Sequence, residues 1–270
     1  RGGAGAVGFV PTMGALHAGH LSLVERSRRD NDATIVSIFV NPTQFGPNED
    51  LAAYPRRERE DLALLEMART NAAFVPSVEE IYPKGDDARI DPGPVAAPLE
   101  GAARPGHFAG VATVVARLFE IVRPDPAYFG QKDFQQLRVL QTMARRRFPR
   151  IRVIGCPIVR EDDGLAMSSR NAYLGPSERP AAVALSRGLR EAQELWERGE
   201  RDPEPLRAAV RDAVRSAAGV SLEYVSAADP LDLHELHGSA DRAVVSLAAR
   251  VGKARLIDNV LLGMDVSELS

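Results

Sequence analysis

Two histidines three residues apart, His17 and His20, close the segment Met13-Gly-Ala-Leu-His-Ala-Gly-His20, just beyond the apolar run Val7-Gly-Phe-Val10. A strand handing over to a helix here sets both imidazoles at a helix start. The first backbone N–H groups of a helix lack intrahelical partners and attract anions. Imidazole N–H groups can donate to phosphate oxygens, while Gly14 and Gly19 let the backbone approach closely. The chemistry suggested is a nucleotide held by its phosphates. Two duller explanations compete, zinc ligation and ordinary structural histidines. Zinc needs a third and usually a fourth ligand. Asp30 and Asp32 are a full helix away, and Cys156 has no CxxC partner. No protein-held metal is therefore expected.

Three further segments carry reactive groups. Asn41-Pro-Thr-Gln-Phe-Gly46 presents neutral amides after a second strand. Phe129-Gly-Gln-Lys-Asp-Phe-Gln-Gln136 brings Gly130, Gln131, Lys132 and Asp133 to a helix start. Met167-Ser-Ser-Arg170 offers two hydroxyls and a guanidinium in succession. Singly, each could be a turn or a solvated charge. Together they supply what attack on an ATP α-phosphate requires. Charge builds there on the non-bridging oxygens and on the departing pyrophosphate, and fixed donors lower the barrier because they need not reorganise. His17, His20, Lys132, Ser168, Ser169 and Arg170 fit that duty, whereas Asp133 better suits ribose hydroxyls.

The elements that must position these groups alternate strand and helix. Strands are predicted over 7–10, 34–40, 73–75, 127–129 and 152–154, and helices over 20–31, 58–69 and 108–122. Continuous apolar strands between helices predict an α/β fold, a Rossmann-like doubly wound parallel sheet. Such sheets take ligands at the carboxyl ends of their strands, where His17, Asn41 and Gly130 all fall. Near Val159 the character changes. A long helix is predicted from Gly175-Pro176, with Pro176 in its first turn and Trp196 in the core. A helix around 206–214 follows, then strands over 222–226, 243–249 and 255–257. The domains expected are a Rossmann-like nucleotide- and acceptor-binding domain over 1–158 and a smaller C-terminal α+β domain over 159–270, with Met167-Ser-Ser-Arg170 near its start.

With 270 residues the chain can bury roughly three quarters of its unfolded surface. A net charge of −3 leaves no global field favouring nucleic acid or an anionic membrane. The Arg145-Arg146-Arg147 cluster reads as a solvated helix end. One cysteine suits a reducing cytoplasm, and there is no apolar run of membrane-spanning length. The chain opens on Arg1 and runs almost at once into a strand, so a natural amino-terminal segment is expected to be missing.

His-Ala-Gly-His20 resembles the HxGH signature of the nucleotidyltransferase superfamily, and Met167-Ser-Ser-Arg170 resembles its mobile second signature. Five segments taken in order resemble the pantothenate synthetase family: Pro11 to His20, Phe39 to Gly46, Glu100 with Arg104-Pro-Gly-His-Phe108, Phe129 to Phe134, and Met167 to Asn171. The likeness runs from about Gly8 to Asn259. A lone HxGH would be weak, but five ordered segments are specific. Thr43 and Gln131 depart from common family residues without touching the chemistry.

The resemblance implies an enzyme joining pantoate to β-alanine with ATP and Mg2+, through a pantoyl adenylate, releasing pyrophosphate and then AMP. Pantoate is then the acceptor of the first domain. Met13, Gly14, Ala15, Leu16, His17, Ala18, Gly19 and His20 would lie along ATP, with His20 as proton donor toward the reacting phosphate. Gly130, Gln131, Lys132, Asp133, Val159 (through its backbone, toward adenine), Met167, Ser168, Ser169 and Arg170 complete that site. Gln44 and Gln136 would hold pantoate, in a pocket with Asn41 and Pro11, and Gln44 could also meet β-alanine. Arg104 is offered for the β-alanine carboxylate, against the alternative of a structural arginine, and Asp61 is only a guess as a magnesium ligand. A cytoplasmic homodimer is implied, with no nucleic-acid or membrane partner. The rivals are an adenylyltransferase acting on a phosphorylated acceptor, an aminoacyl-tRNA synthetase, and a non-catalytic ATP sensor. The first would want more cations near the second strand, the second a basic tRNA face. The third would have no reason for paired amides.

Overall fold

The computed structural model describes residues 5–47 and 49–269. Residues 1–4, on which the expectation about the amino terminus rests, lie outside the described residues. The chain divides into two compact units. One takes the residues up to Gly130 together with Gln135–Cys156, and the other takes Gln131–Phe134 together with Pro157–Leu269. The second unit thus begins at Pro157, where Val159 is expected, and also takes the four residues after Gly130.

The first unit runs β1 (Val7–Thr12), α1 (Ala18–Asp30), β2 (Ala33–Ile38), α2 (Glu58–Met67), β3 (Ala72–Phe74), the short turns α3 (Val78–Ile81) and α4 (Glu100–Ala103), α5 (His107–Val122), β4 (Pro126–Gly130), α6 (Phe134–Arg147) and β5 (Arg152–Cys156). Its sheet has the order β3-β2-β1-β4-β5 and every pairing is parallel, with Phe9 opposite both Ile35 and Ala127. From β1 the sheet grows first toward β3 and then, after the jump to β4, in the opposite direction. Right-handed crossovers then place the helices of the two halves on opposite faces. The doubly wound expectation holds, and the switch point lies between β1 and β4.

Alternation of side chains along the strands explains the packing. Val10, Val36, Ile38 and Tyr128 meet Leu23 and Val24 of α1 and Leu65 of α2 in one buried cluster. Each such side chain, fully buried, contributes about 1.5–3 kcal/mol. Cys156 joins this cluster, and burial pushes its thiol up to about 11. Little thiolate forms at neutral pH, so it is an inert core residue. Arg145, Arg146 and Arg147 form the exposed last turn of α6, as expected.

The second unit contains α7 (Glu178–Glu197), α8 (Pro203–Arg215), β6 (Val220–Ala228), β7 (Ala243–Val251) and β8 (Ala254–Leu262). The strands pair antiparallel in the order β6-β7-β8, and a register shift falls between Leu222 and Tyr224. Leu185, Leu189 and Trp196 of α7 and Leu206 and Val210 of α8 share one core with Val245 and Leu247 of β7. One expectation is corrected. Pro176 lies outside α7, in a preceding turn where Gly175 accepts from the amides of Glu178 and Arg179. The carboxylate of Glu178 in turn accepts from the Gly175 amide at 2.8 Å, so the helix starts two residues later than expected.

Candidate active site

The loop from β1 to α1 lies at the switch point, where open parallel sheets take ligands. Gly14 has φ +78°, and an added Cβ would come within 2.9 Å of Asp61 Oδ2. Ala15 follows at φ +49°, a left-handed conformation that costs a side-chain-bearing residue about 1–2 kcal/mol. The offset comes from Asp61 on α2, which is 2% exposed. Its Oδ2 accepts from the Ala15 amide at 2.8 Å and its Oδ1 from the Leu16 amide at 2.7 Å. Thr12 Oγ1 accepts from the Gly14 amide at 3.2 Å and donates to the Ser37 carbonyl at 2.7 Å. Asp61, guessed as a magnesium ligand, spends one bond from each oxygen on clamping this loop.

The clamp delivers the chain to His17, the N-cap of α1, in extended geometry. His17 Nδ1 accepts from the Gly19 amide at 3.2 Å, and His20 Nδ1 accepts from the His17 amide at 3.4 Å. This is a capping box built from two imidazoles, whose ring centroids lie 4.0 Å apart. Because both Nδ1 atoms accept, the proton of each neutral ring belongs on Nε2. Helix capping and presentation of an N–H donor are thus served by the same residues.

The amide segment after β2 is rigid for a different reason. Asn41 is 1% exposed and caps the turn Pro42–Gln44. Its Oδ1 accepts from Tyr82 Oη at 2.7 Å and Thr43 Oγ1 at 3.0 Å. Its Nδ2 donates to Gln44 Oε1 at 3.0 Å and to the Gly110 carbonyl at 3.3 Å. Gln44 Nε2 then donates to Met13 Sδ at 3.2 Å. Asn41 therefore works on Gln44, and Gln44 touches the loop that carries the histidines.

Behind Gln44 stands a charged latch on the motif Arg104-Pro-Gly-His-Phe108. Arg104 forks onto Glu49, at 2.6 Å from Oε1 and 2.8 Å from Oε2. His107 Nδ1 donates to the Gln44 carbonyl at 2.9 Å, so its Nε2 accepts from Arg104 Nη1 at 3.0 Å. Burial, then the Arg104 charge, hold His107 down to about 4, so it is neutral. Burial works to raise the Glu49 carboxyl, but its bonds and charge pairing with Arg104 bring it down to about 2. Arg104, offered for a β-alanine carboxylate, is thus committed to Glu49 and His107.

The other expected residues of this unit lie on its strands and on α6. Pro11 is in β1 beside Thr12, Gly130 ends β4 opposite Cys156, and Gln136 is half-buried on α6. The neighbouring Gln135, which sequence reasoning passed over, donates to the carbonyls of Val95 and Pro98 and accepts from the Glu100 amide. It holds the loop before α4 in place.

The second unit gathers the other expected residues. Gln131–Asp133 form a single turn, with Lys132 Nζ 3.8 Å from Asp133 Oδ1. Val159 accepts through its carbonyl from the Met167 amide at 3.0 Å, closing a hairpin bridged at Arg160 and Ala166. Ser168 caps the turn Ser169–Tyr173, its Oγ accepting from the Arg170 amide at 3.3 Å. Asn171 donates to Glu161 Oε1 at 2.6 Å and to the Ala166 carbonyl at 3.0 Å. Arg179 locks Glu161 and Asp163 at 2.7 Å each. The serine-arginine segment is thereby tied to its own hairpin.

Comparison with known proteins decides the family. A family model described as Pantoate-beta-alanine ligase matches residues 1–261. The chain belongs to the pantoate–β-alanine ligase family. A pantothenate synthetase of Roseiflexus castenholzii is 57% identical over 258 residues, covering 96% of this chain and 93% of that protein. One of Chloroflexus aurantiacus is 54% identical over 257 residues, covering 95% and 92%. The crystal structure of pantothenate synthetase from Thermus thermophilus superposes with a TM-score of 0.91 at 48% identity, over 94% of this chain and 92% of that one. The ligase from Francisella tularensis, solved with β,γ-ATP and β-alanine, gives 0.76 at 37% identity over 97% and 92%. As a member of this ligase family the chain is an enzyme, and the resemblance drawn from its five segments is upheld. No helix among the described residues is long and apolar enough to cross a membrane.

Proposed function

We propose that this chain condenses pantoate with β-alanine using ATP, by way of a pantoyl adenylate. The observation that carries this reading is the bond from Gln44 to Met13. It ties an acceptor-type amide to the loop that ends in the two capping imidazoles. A protein that only sensed ATP would have no use for that junction.

The pantoate carboxylate attacks the α-phosphorus, the bond to the bridging oxygen breaks, and pyrophosphate leaves. The β-alanine amine then attacks the acyl carbon, AMP departs, and the amine gives up a proton. For the first step the Nε2–H groups of His17 and His20, with Lys132, Ser168, Ser169 and Arg170, meet developing phosphate charge. Met13, Gly14, Ala15, Leu16, Ala18 and Gly19 border ATP along the loop, with Gly130, Gln131, Asp133, Val159 and Met167 completing its surroundings. Gln44 and Gln136 hold pantoate beside Pro11, and Asn41 holds Gln44.

Among the described residues no group of three or more His, Cys, Asp or Glu side chains could cage a metal ion. Mg2+ would come with the ATP phosphates, keeping several of its waters. A homodimer in the cytoplasm completes the reading.

ATP and pantoate alone should support pyrophosphate exchange, and adding β-alanine should release AMP. A stable adenylylated product would instead mean a transferase, and no turnover a sensor. His20→Asn puts an amide oxygen near the Nδ1 position, keeping the cap, but removes Nε2. Exchange should fall by about a hundredfold or more with the fold intact.

A further inference from the structure

Lys132 stands on a three-residue turn, and a flexible four-carbon stem gains direction only if its backbone is fixed. The anchor comes from β8, 127 residues further along the chain. Asn259 is 2% exposed. Its Nδ2 donates to two successive carbonyls, those of Gln131 and Lys132, each at 3.0 Å. Its Oδ1 accepts from Gln131 Nε2 at 3.2 Å. Both donors and the acceptor are thus spent on one turn, within one unit of the fold. A purely structural asparagine could be satisfied by any neighbours, yet this one is satisfied by the lysine's turn.

The preceding residue extends the pattern. Asp258 accepts a two-pronged bond from Arg160, at 2.7 and 3.1 Å, and its Oδ1 also accepts from the Asn259 amide at 2.8 Å. Burial raises the Asp258 carboxyl, against the pull of Arg160 and, more weakly, of Lys132. Successive residues of one strand therefore grip the segment beginning at Val159 and the turn that carries Lys132.

We propose that Asn259 is a positioning residue for Lys132, holding the turn at its two carbonyls so that the ammonium is aimed before ATP arrives. This rests on the ATP-dependent reading above. Pre-organised charge stabilises a transition state without reorganisation at the moment of reaction, so an unanchored lysine acts late and imprecisely.

Asn259→Asp tests this with almost no change in size, because it sets a carboxylate against two carbonyl oxygens. Asn259→Ser, which removes the fork but leaves a small donor, is the second variant should the first fold poorly. Pantoate-dependent pyrophosphate exchange is measured for wild type, each Asn259 variant, Lys132→Ala and the double variants. The expected result is a fall of about tenfold or more in kcat with the KM for pantoate unchanged. In the Lys132→Ala background the Asn259 change should cost less than about twofold, because its effect passes through the lysine. Multiplicative losses in the double variant, or wild-type kinetics in both single variants, would overturn the proposal. If the wild type gave no pantoate-dependent exchange, the ATP-ligation reading would fail by itself. The same cycle would then be read in ATP binding by calorimetry, with the same criterion of non-additivity.

Discussion

Asp61→Asn is the sharpest test of how the catalytic loop is built. Asparagine keeps one oxygen and turns the other into an NH2 group. Whichever way the amide lies, a donor then faces the amide of Ala15 or Leu16 across the present 2.7–2.8 Å. One charge-assisted bond, typically about 1.5–3 kcal/mol, is lost and a buried N–H is left unmet. The clamp also offsets the left-handed Ala15, worth about 1–2 kcal/mol. A loss near 3 kcal/mol overall is expected. For a unit of this size that lowers Tm by about 6–12 °C, at roughly 2–4 °C per kcal/mol. His17 and His20 follow the loop directly, and a displacement of about 1 Å would cost adenylation on the order of a hundredfold. Calorimetry and pyrophosphate exchange check both figures. The magnesium concentration for half-maximal rate should not move. A wild-type Tm together with a large shift in that concentration would refute the clamp and return Asp61 to the metal.

Three further outcomes follow from the latch behind Gln44. His107 is held neutral with a folded value of about 4 against an ordinary 6.5. The unfolded chain therefore binds more protons between those values, and stability falls as pH drops through that window. The loss approaches about 3 kcal/mol, and His107→Gln should flatten urea midpoints between pH 6.5 and 4. Gly110→Ala would bring a Cβ within 2.3 Å of the Thr43 carbonyl and 2.9 Å of Gln44 Cα. Such overpacking costs about 1–3 kcal/mol, and steady-state kinetics should show the KM for pantoate rising more than that for ATP. Arg104→Ala should likewise raise the KM for pantoate, by freeing Gln44, and leave that for β-alanine unchanged. A selective loss of β-alanine affinity would restore the carboxylate-binding assignment.

What could be read from the chain beforehand divides along sequence distance. The strand–loop–helix around His17 and His20 was legible because period, glycine placement and capping act within a few residues. The switch-point sheet was legible because short apolar strands between helices admit few topologies. The functions of Asp61, Glu49 and Asn259 left no local trace. Asp61 reads as one of several acids in the first turn of an exposed-looking helix, and only the fold brings it to amides 45 residues earlier. Glu49 meets Arg104 across 55 residues, and Asn259 meets Lys132 across 127. Arg104 and Asp61 were open to a ligand role for a common reason. A charged residue in a motif invites assignment to a ligand, and only its neighbours decide whether the charge is already spent.

That distinction bears on how this family's chemistry is supported. Most donors assigned to phosphate or pantoate sit on short loops or turns, while His20 stands in the first turn of α1 and Gln136 on α6. Three sites are braced by polar groups from elsewhere in the chain: the histidine loop by Asp61, Gln44 by the Arg104–His107 latch in addition to neighbouring Asn41, and Lys132 by Asn259. A buried polar group bears its full desolvation penalty once its partner is removed. These braces should therefore respond to substitution in both stability and rate. The donors they support should respond mainly in rate, because an N–H exposed to substrate gives little to the fold. Measuring Tm and adenylation together across His20→Asn, Asp61→Asn and Asn259→Asp separates the two classes. If His20→Asn destabilised the protein as much as Asp61→Asn, the imidazole would be part of the frame and the division between brace and donor would be wrong.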